Sequence, residues 1–569
     1  MRGVSRSLCE HIDRVLGRLA PVVAWRGTPA VLVVVAVLLA GAAGWNSSAT
    51  ADEPYHTLAA WVYAHDGHAD LNPEHPALVK LLAGLSLQPL GLRGPEGPPV
   101  ERLQDLSLEV RRFLYQNTHA SQTILRVARL PGLAFLALLL AGTYLWGRFA
   151  WGRTAGLLAL VAVAGQPLVL GHAPIVHTDV AAAATWVWTG YLLHRWLTGA
   201  KGGWAWLGVA VGAALAIKFS AVYLVLLVVF TVAWVAARTR RWQPLAELVG
   251  TGVIALAVLL GSTWPAVRHV DEGEQARAIG AFLSRWQGSE ASAALLVATS
   301  HWSVPAAQWG LGSAYVYFNN RTGQGVNYLC GEVSIEGFPH YFPVALALKT
   351  SAPFLLGAVW AIAVALRRRD ALALALAGTV GFYLLISAGS NYNIGARHLL
   401  PILPALALSI GWAVAGRTRT TQALAALALA SSALLAFPHY IAHFSLLAAG
   451  KGPQCLTDSN LDWGQDWHRL CVRARQQGWS PMAYIYLGAA WPQGEGCAVD
   501  LVDSRGPVRP RYVAVSRFAE TVGPDYLRVF GEVREAESLS STLAYLHGKG
   551  RLIGDVGGSI RVFRLPDAS

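Results

Sequence analysis

Runs of about 18–20 apolar residues recur along this chain, and a water-soluble core has no use for them. The first is "PAVLVVVAVLLAGAAGW" at 29–45. A helix needs about 20 apolar residues to cross the hydrocarbon of a bilayer. Allowing shorter runs where the flanks agree, the sequence predicts roughly eleven spans, near 28–45, 130–148, 154–171, 178–195, 203–217, 219–237, 246–264, 342–366, 371–388, 398–415 and 421–440. The pair around Lys218, "GVAVGAALAIKFSAVYLVLLVVF", reads as two spans or as one kinked segment. A chain of 569 residues with 54% hydrophobic and 14% charged residues, and a mean hydropathy of +0.40, is too apolar and too long for one soluble core. The fold class expected is mainly α, a polytopic helical membrane protein.

Lys and Arg are retained in short loops on the cytoplasmic side. Arg2, Arg6, Arg14, Arg18 and Arg26 precede the first span, and Arg148 with Arg153, Arg195 with Lys201, "RTRR" at 238–241, "RRR" at 367–369, and Arg417 with Arg419 fill alternate connections. One assignment puts all of them inside. The net charge of +12 is then a signal of topology rather than a footprint for nucleic acid, and no nucleic-acid partner is expected. The expected place is the plasma (inner) membrane, crossed many times, with the N-terminus cytoplasmic. The first span is too long, and too poorly followed by a small-residue cleavage site, for a removed signal peptide.

The outer side then receives loops of about 46–129 and 265–341, short connections near 172–178 and 389–397, and the tail from about 441. In the tail apolar density falls. "MAYIYLG", "RYVAVSRF" and "SIRVFRL" read as strands beside a helical "DWHRLCVRARQQG". Two domains are expected, a membrane domain over 1–445 and a small extracytoplasmic α/β domain over 446–569. Of five cysteines, Cys330, Cys455, Cys471 and Cys497 fall outside, where disulfides form, and a pairing among the three in the tail is one outcome. No CxxC spacing suggests zinc.

Chemistry-bearing residues gather on that outer side. "ADEPYHTLAAW" opens the first loop with Asp52 and Glu53. Ionised acids at the hydrocarbon boundary either line a watery cavity or simply end a span at the start of a new helix. "HAPIVHTDVAAA" sets Asp179 with His172 and His177 at the start of another span, where Asp179 is also suited to cap the helix. "NPEHPALVKLLAGL", with short helical periodicity, carries Glu74, His75 and Lys80. "AIKFSAV" holds Lys218, and "NYNIGARHLLPILP" holds Arg397 and His398. Lys218 is as well explained by snorkelling to the interface as by function, whereas Lys80 and Arg397 sit beside polar residues at helix ends and suit an anion. Tyr55, Trp61 and Tyr63 read first as interfacial anchors.

In this order "DEPYH", "HPALVK", "HTD", "IGARHLLPILP" and "DSNLDWGQD" resemble the lipid-carrier-dependent glycosyltransferases of the GT-C superfamily, which includes protein O-mannosyltransferases and lipid A aminoarabinose transferases (glycosyltransferase families 39 and 83). The resemblance implies a first-loop acid as catalytic base or acceptor-orienting group, matching Asp52 and Glu53, and a second acid matching Asp179. It implies a contact to the lipid phosphate at Lys80 and matches Arg397 to a basic residue of the "RHLLP" motif. From the residues themselves, Lys218, Arg397 and His398 are further phosphate candidates, and His75, His172 and His177 are cavity candidates. Asp52 ranks above Glu53, because the family's motif aligns its first carboxylate with the base. "DSNLDWGQD" recurs without a role that the residues disclose. The expanded domains of the eukaryotic mannosyltransferases are absent, which puts a protein Ser/Thr acceptor in question.

The expected activity is a hexosyl or pentosyl transfer from a polyprenyl-phosphate sugar to a lipid, glycan or protein acceptor among membrane lipids. Such a donor already has a good leaving group, so the site needs cations for the departing phosphate and a carboxylate to take the acceptor's proton. One displacement inverts the anomeric carbon. No cofactor is required by this chemistry and no metal ligand set is assigned, although Asp52, Glu53, Asp179 and the histidines are compatible with a divalent cation. A lipid-linked sugar flippase or transporter would also hide charges among spans, but it would show inverted halves or broken midplane helices. A noncatalytic scaffold would not need acids and cations on one face.

The parity of the basic loops is testable with reporter fusions. A periplasmic phosphatase reporter is expected to be active after Ser569 and inactive within 238–241, and the reverse pattern would invert the assignment.

Overall fold

The computed structural model describes residues 25–69, 71–95, 106–323, 325–497 and 510–566. Arg2, Arg6, Cys9, Arg14, Arg18 and Ser569 lie outside the described residues.

Helix α1, Thr28–Trp45, starts with Pro29 in its first turn. Its burial is the reverse of a soluble helix. Ala36, Ala40, Ala43 and Gly44 face the protein, while Val31, Val34, Val35 and Leu38 face out. Small residues at helix contacts with large apolar ones outward is the pattern of a span facing lipid. The first loop forms α2 (Glu53–His65), α3 (Leu78–Leu87), α4 (Leu106–Tyr115) and α5 (Ser121–Ala128). The bundle continues with α6 (Leu130–Trp151), α7 (Arg153–Ala164), α8 (Pro167–His172), α9 (Asp179–Leu197), α10 (Gly203–Ile217), α11 (Ala221–Thr239) and α12 (Gln243–Thr263). In the second loop α13 (Glu272–Leu283), α14 (Glu290–Ser300) and α15 (Val304–Thr322) precede a short hairpin of β1 (Asn327–Leu329) and β2 (Glu332–Ser334). Then come α16 (Tyr341–Lys349), α17 (Ala352–Arg368), α18 (Ala371–Ser387), a 3₁₀ segment Ala396–Ile402, α19 (Leu403–Ala415) and α20 (Arg419–Ala436).

Helices therefore stand at every position where a span was expected. Among the described residues five are long and apolar enough to cross a membrane, or six if the bent pair α16 and α17 is one span. The shortfall from eleven has two sources: α10 and α18 are shorter than a full span and α9 and α20 are less apolar than the five, while other expected spans are broken. The expected span 154–171 parts at Gln166, whose extended backbone precedes Pro167. The expected span 342–366 is two helices bent by 119°, because Thr350 and Ser351 are extended ahead of Pro353. The span at 398–415 is among the five, although it begins as the 3₁₀ segment around Pro401. The two helices around Lys218 are separate, with Lys218 itself extended between them. At the centre, α19 lies so close to α7 that a Cβ at Gly411 would come within 2.4 Å of the Ala155 carbonyl oxygen.

The tail continues with α21 (Trp467–Gln477), β3 (Met482–Ile485), β4 (Tyr512–Ser516), α22 (Arg517–Val529), α23 (Val533–Lys549), β5 (Arg551–Val556) and β6 (Ile560–Arg564). The sheet order is β3-β4-β6-β5, parallel between β3 and β4 and antiparallel elsewhere. Alternation along β4 sends Ala514 toward Trp467, Leu470 and Val562, and Val513 with Val515 toward Leu543, Leu546 and Phe563. Of the tail's three cysteines two pair, Cys471 with Cys497. Cys455 joins Cys330 of the second loop.

One buried joint sets how the first loop leaves α1. Arg129 donates from Nε to Oε1 of Glu53 at 2.8 Å and from Nη2 to Oε2 at 2.6 Å, and also donates to the carbonyls of Gly44, Ser47 and Ser48. Both side chains are buried, at 3% and 0% exposure. Removing one partner of such a pair strands the other charge, so Arg129→Ala should cost about 3–5 kcal/mol. The check is thermal unfolding of Arg129→Ala, Glu53→Ala and the double variant, with the double expected to lose clearly less than the sum of the singles.

Candidate active site

The two neighbouring acids part company at the start of α2. A helix turns about 100° per residue, so adjacent side chains point in different directions. Glu53 turns inward, where Thr50 N–H also donates to Oε2 at 2.9 Å and Val176 N–H to Oε1 at 3.0 Å. Burial by itself would push its carboxyl up, but the Arg129 charge and these hydrogen bonds outweigh it and hold the group below its usual range. Asp52 occupies the N-cap position, yet its carboxylate takes no hydrogen bond from the helix and stays 38% exposed. Capping does not explain it.

Capping does not explain Asp179 either. Thr178 is the N-cap of α9, and Asp179, its first residue, makes no cap bond. It forms an ion pair with Lys218, whose extended backbone between α10 and α11 faces it. His177 Nδ1 lies 2.8 Å from Asp179 Oδ2, in ion-pair range but without hydrogen-bond alignment. Arg397 completes the group. Its Nη1 donates to His177 Nε2 at 2.7 Å and lies 3.6 Å from Asp179 Oδ2, and its Nη2 makes a long 3.5 Å hydrogen bond to Asp52 Oδ2. The guanidinium lies over the Trp463 ring at 4.3 Å, a favourable cation–π placement.

Histidines pack against this network. His75 Nε2 is 3.3 Å from His177 Nε2, and one ring nitrogen from each of His56, His75 and His177 falls within 4.8 Å of the others. Both nitrogens of His56 are buried without a partner. Burial, reinforced by neighbouring positive charge, pushes His56 and His75 well below the usual histidine range, so both are neutral and able to accept. In number and spacing the nitrogens suit a borderline divalent ion. The surrounding charge opposes one, since Arg397 already donates to His177 Nε2 and Lys80 lies close enough to depress His56.

Other expected residues sit differently. Lys80, on α3, is 2% exposed, and its Nζ donates to the carbonyl and side-chain oxygens of Asn72 and, at 3.5 Å, to the His75 carbonyl. Burial pushes its ammonium down, with Glu74 working against the shift. His172 is buried with Nδ1 2.8 Å from the Leu168 carbonyl oxygen and its ring 5.9 Å from Trp463. His398 is half-buried with its Nε2 buried and unpartnered, its ring 6.3 Å from Phe342 and its carbonyl accepting from Tyr383.

The motif "DSNLDWGQD" acquires a structural part. Asn460 accepts from Ala396 N–H at 2.8 Å and donates to the Tyr341 hydroxyl, while buried Lys349 donates to the Asn460 carbonyl. Asp462 accepts from the Ser516 hydroxyl and Phe518 N–H, anchoring the tail sheet. On the other side Ala51 N–H donates to the Trp463 carbonyl at 2.8 Å and Ser48 N–H to that of Gln465 at 3.0 Å. The motif thus fixes the residues before Asp52 and after Ile394 together, with Trp463 beneath Arg397. Asp458, at φ 56°, stands at its start; burial pushes its carboxyl up to about 7, with Arg397 pulling against the shift and Asp52 adding to it. Trp463, His56, Arg129 and Asp458 were not picked out from sequence. For Arg129 no signal existed, since the same outer loop also carries Arg93, Arg102, Arg111, Arg112 and Arg126.

Residues 121–264 match the family model described as dolichyl-phosphate-mannose-protein mannosyltransferase. No curated protein matches the chain. Among solved structures, ArnT from Cupriavidus metallidurans bound to undecaprenyl phosphate is 12% identical with a TM-score of 0.34, covering 95% of this chain and 98% of that one. The archaeal oligosaccharyltransferase AglB from Archaeoglobus fulgidus, in complex with an inhibitory peptide and a dolichol-phosphate, is 12% identical with a TM-score of 0.46, covering 90% and 72%. The Archaeoglobus fulgidus oligosaccharyltransferase complex with Zn and sulfate is likewise 12% identical, with a TM-score of 0.44 and coverage of 89% and 70%.

Proposed function

From membership of the GT-C superfamily, which the match over 121–264 supports, we propose that this chain is a membrane glycosyltransferase moving a sugar from a polyprenyl-phosphate donor to an acceptor on the side that carries the tail. By the basic-loop rule that side is extracytoplasmic. The observation that carries the reading is the exposed carboxylate of Asp52 facing Arg397 at the edge of a buried charge network.

The acceptor hydroxyl gives its proton to Asp52 as its oxygen bonds to the anomeric carbon. The bond from that carbon to the phosphate oxygen breaks, and the phosphate leaves with the electron pair. A single displacement inverts the centre. Arg397 is suited to the departing phosphate because its fork is shared loosely among Asp52, Asp179 and His177 rather than locked in one bidentate pair. Asp179 and Lys218 hold that fork by their mutual pairing. Glu53 acts as a positioning residue through Arg129. Lys80 serves the phosphate by exchanging an Asn72 contact for it.

Asp52→Asn keeps shape but cannot take a proton. Turnover should fall by about 10²–10⁴-fold with donor binding retained. Near-normal turnover in purified Asp52→Asn would leave Asp52 without a chemical part. Transfer and translocation of a radiolabelled polyprenyl-phosphate sugar are measured on the same vesicles, since a flippase would move the label without transferring it.

The cations are tested by donor affinity. Removing a charge-assisted contact should weaken binding by about 1.5–3 kcal/mol in Arg397→Ala and in Lys80→Ala. Unchanged affinity in a properly inserted Lys80→Ala protein would reduce Lys80 to a strut for residues 72–75.

A further inference from the structure

Between Ser292 and Thr299 one helix of the second loop carries only apolar side chains. On one side of α14, Ala293, Leu296 and Val297 pack into the cluster of Trp286 and Leu311. On the other, Ala291, Ala294, Leu295 and Ala298 are exposed at the i, i+3, i+4, i+7 spacing of a helix face, with Leu295 at 68%. Trp302 follows in the turn and is 91% exposed. No charged residue lies between Glu290 and His301. Neighbouring α13 packs into the same cluster and turns Glu272, Arg277 and Arg285, just beyond its end, outward. A helix segment apolar on both its packed and its exposed side belongs where neither side meets water.

The setting says what covers it. Helices α14 and α15 pack together as a helical hairpin, and α15 rests on the ends of the spans: Trp309 donates from Nε1 to the Leu215 carbonyl at the end of α10, and its ring meets Phe219 at 5.6 Å. Exposed Val249, Val253 and Leu256 run along α12 toward Trp264, itself 58% exposed at the end of that helix. The hairpin thus begins at the level where the lipid-facing surface of the spans stops. At its tip His301 and Glu272 pair at 2.6 Å, beside Trp302. Tryptophan beside charged groups is the usual composition of the headgroup level.

We propose that α14 is an interfacial membrane helix, with Leu295 and Ala298 in the hydrocarbon edge of the leaflet on the tail side and Trp302 among the headgroups. The occupant of this face is lipid. It adds a contact with the bilayer that the hydropathy of the second loop did not predict, and it is independent of the chemistry at Asp52.

The test uses the full chain in phosphatidylcholine and phosphatidylglycerol vesicles. A Cys9→Ser background leaves the four disulfide-bonded cysteines, and nitroxides are attached at Leu295→Cys, Ala298→Cys and Arg277→Cys. Spin-label collision with oxygen should exceed collision with a water-soluble nickel chelate at 295 and 298, and the order should reverse at 277. Nickel access at 295 matching that at 277 would overturn the proposal by placing the face in water. Exclusion of both reagents at 295 and 298 would also overturn it, showing that protein covers the face.

Discussion

The buried pair of Glu53 and Arg129 is the joint on which the site hangs. A carboxylate with no exposure is tolerable only with a full complement of donors, and Glu53 has two from the guanidinium and two from backbone N–H groups of Thr50 and Val176. Arg129 in turn collects carbonyls at and just beyond the end of α1. The chain between α1 and α2 is thereby held to the segment before α9, which brings Asp52 alongside His177 and Asp179.

Charges inside the site are balanced but not saturated. Asp179 and Lys218 neutralise each other at short range. Arg397 and Asp52 are farther apart, at 3.5 Å, and Arg397 leaves Nε buried without a partner. An unmade hydrogen bond at a buried guanidinium is costly in a folded protein and is characteristic of a place where another group binds. Paired His177 and unpaired His56 follow the same division, one fixed and one open.

Much of this was legible before the fold. Hydropathy located the helices, the order of short motifs gathered Asp52, His75, His177, Asp179 and Arg397, and Lys218 stood out between two apolar runs. What the sequence concealed depends on direction rather than position. Asp52 and Glu53 are chemically alike and adjacent, and only the turn of α2 separates an exposed acid from a buried one. That the Lys80 ammonium is already held by Asn72 could not be read from the sequence. Cys455 lies in the tail yet pairs across 125 residues with Cys330. Breaks such as that at Gln166 fall inside continuous apolar runs, where composition does not change.

The contact between residues 48–51 and 463–465 bears on the order of biosynthesis. Chains are made from the N-terminus, and early segments fold while later ones are still being added. Asp52 is synthesised more than four hundred residues before Trp463, whose carbonyl takes the N–H of Ala51 and whose ring lies under Arg397. A nascent chain with every membrane helix in place still lacks the floor of its site. The support under Arg397 and behind Asp52 is therefore completed only when the final segments of the polypeptide are in place.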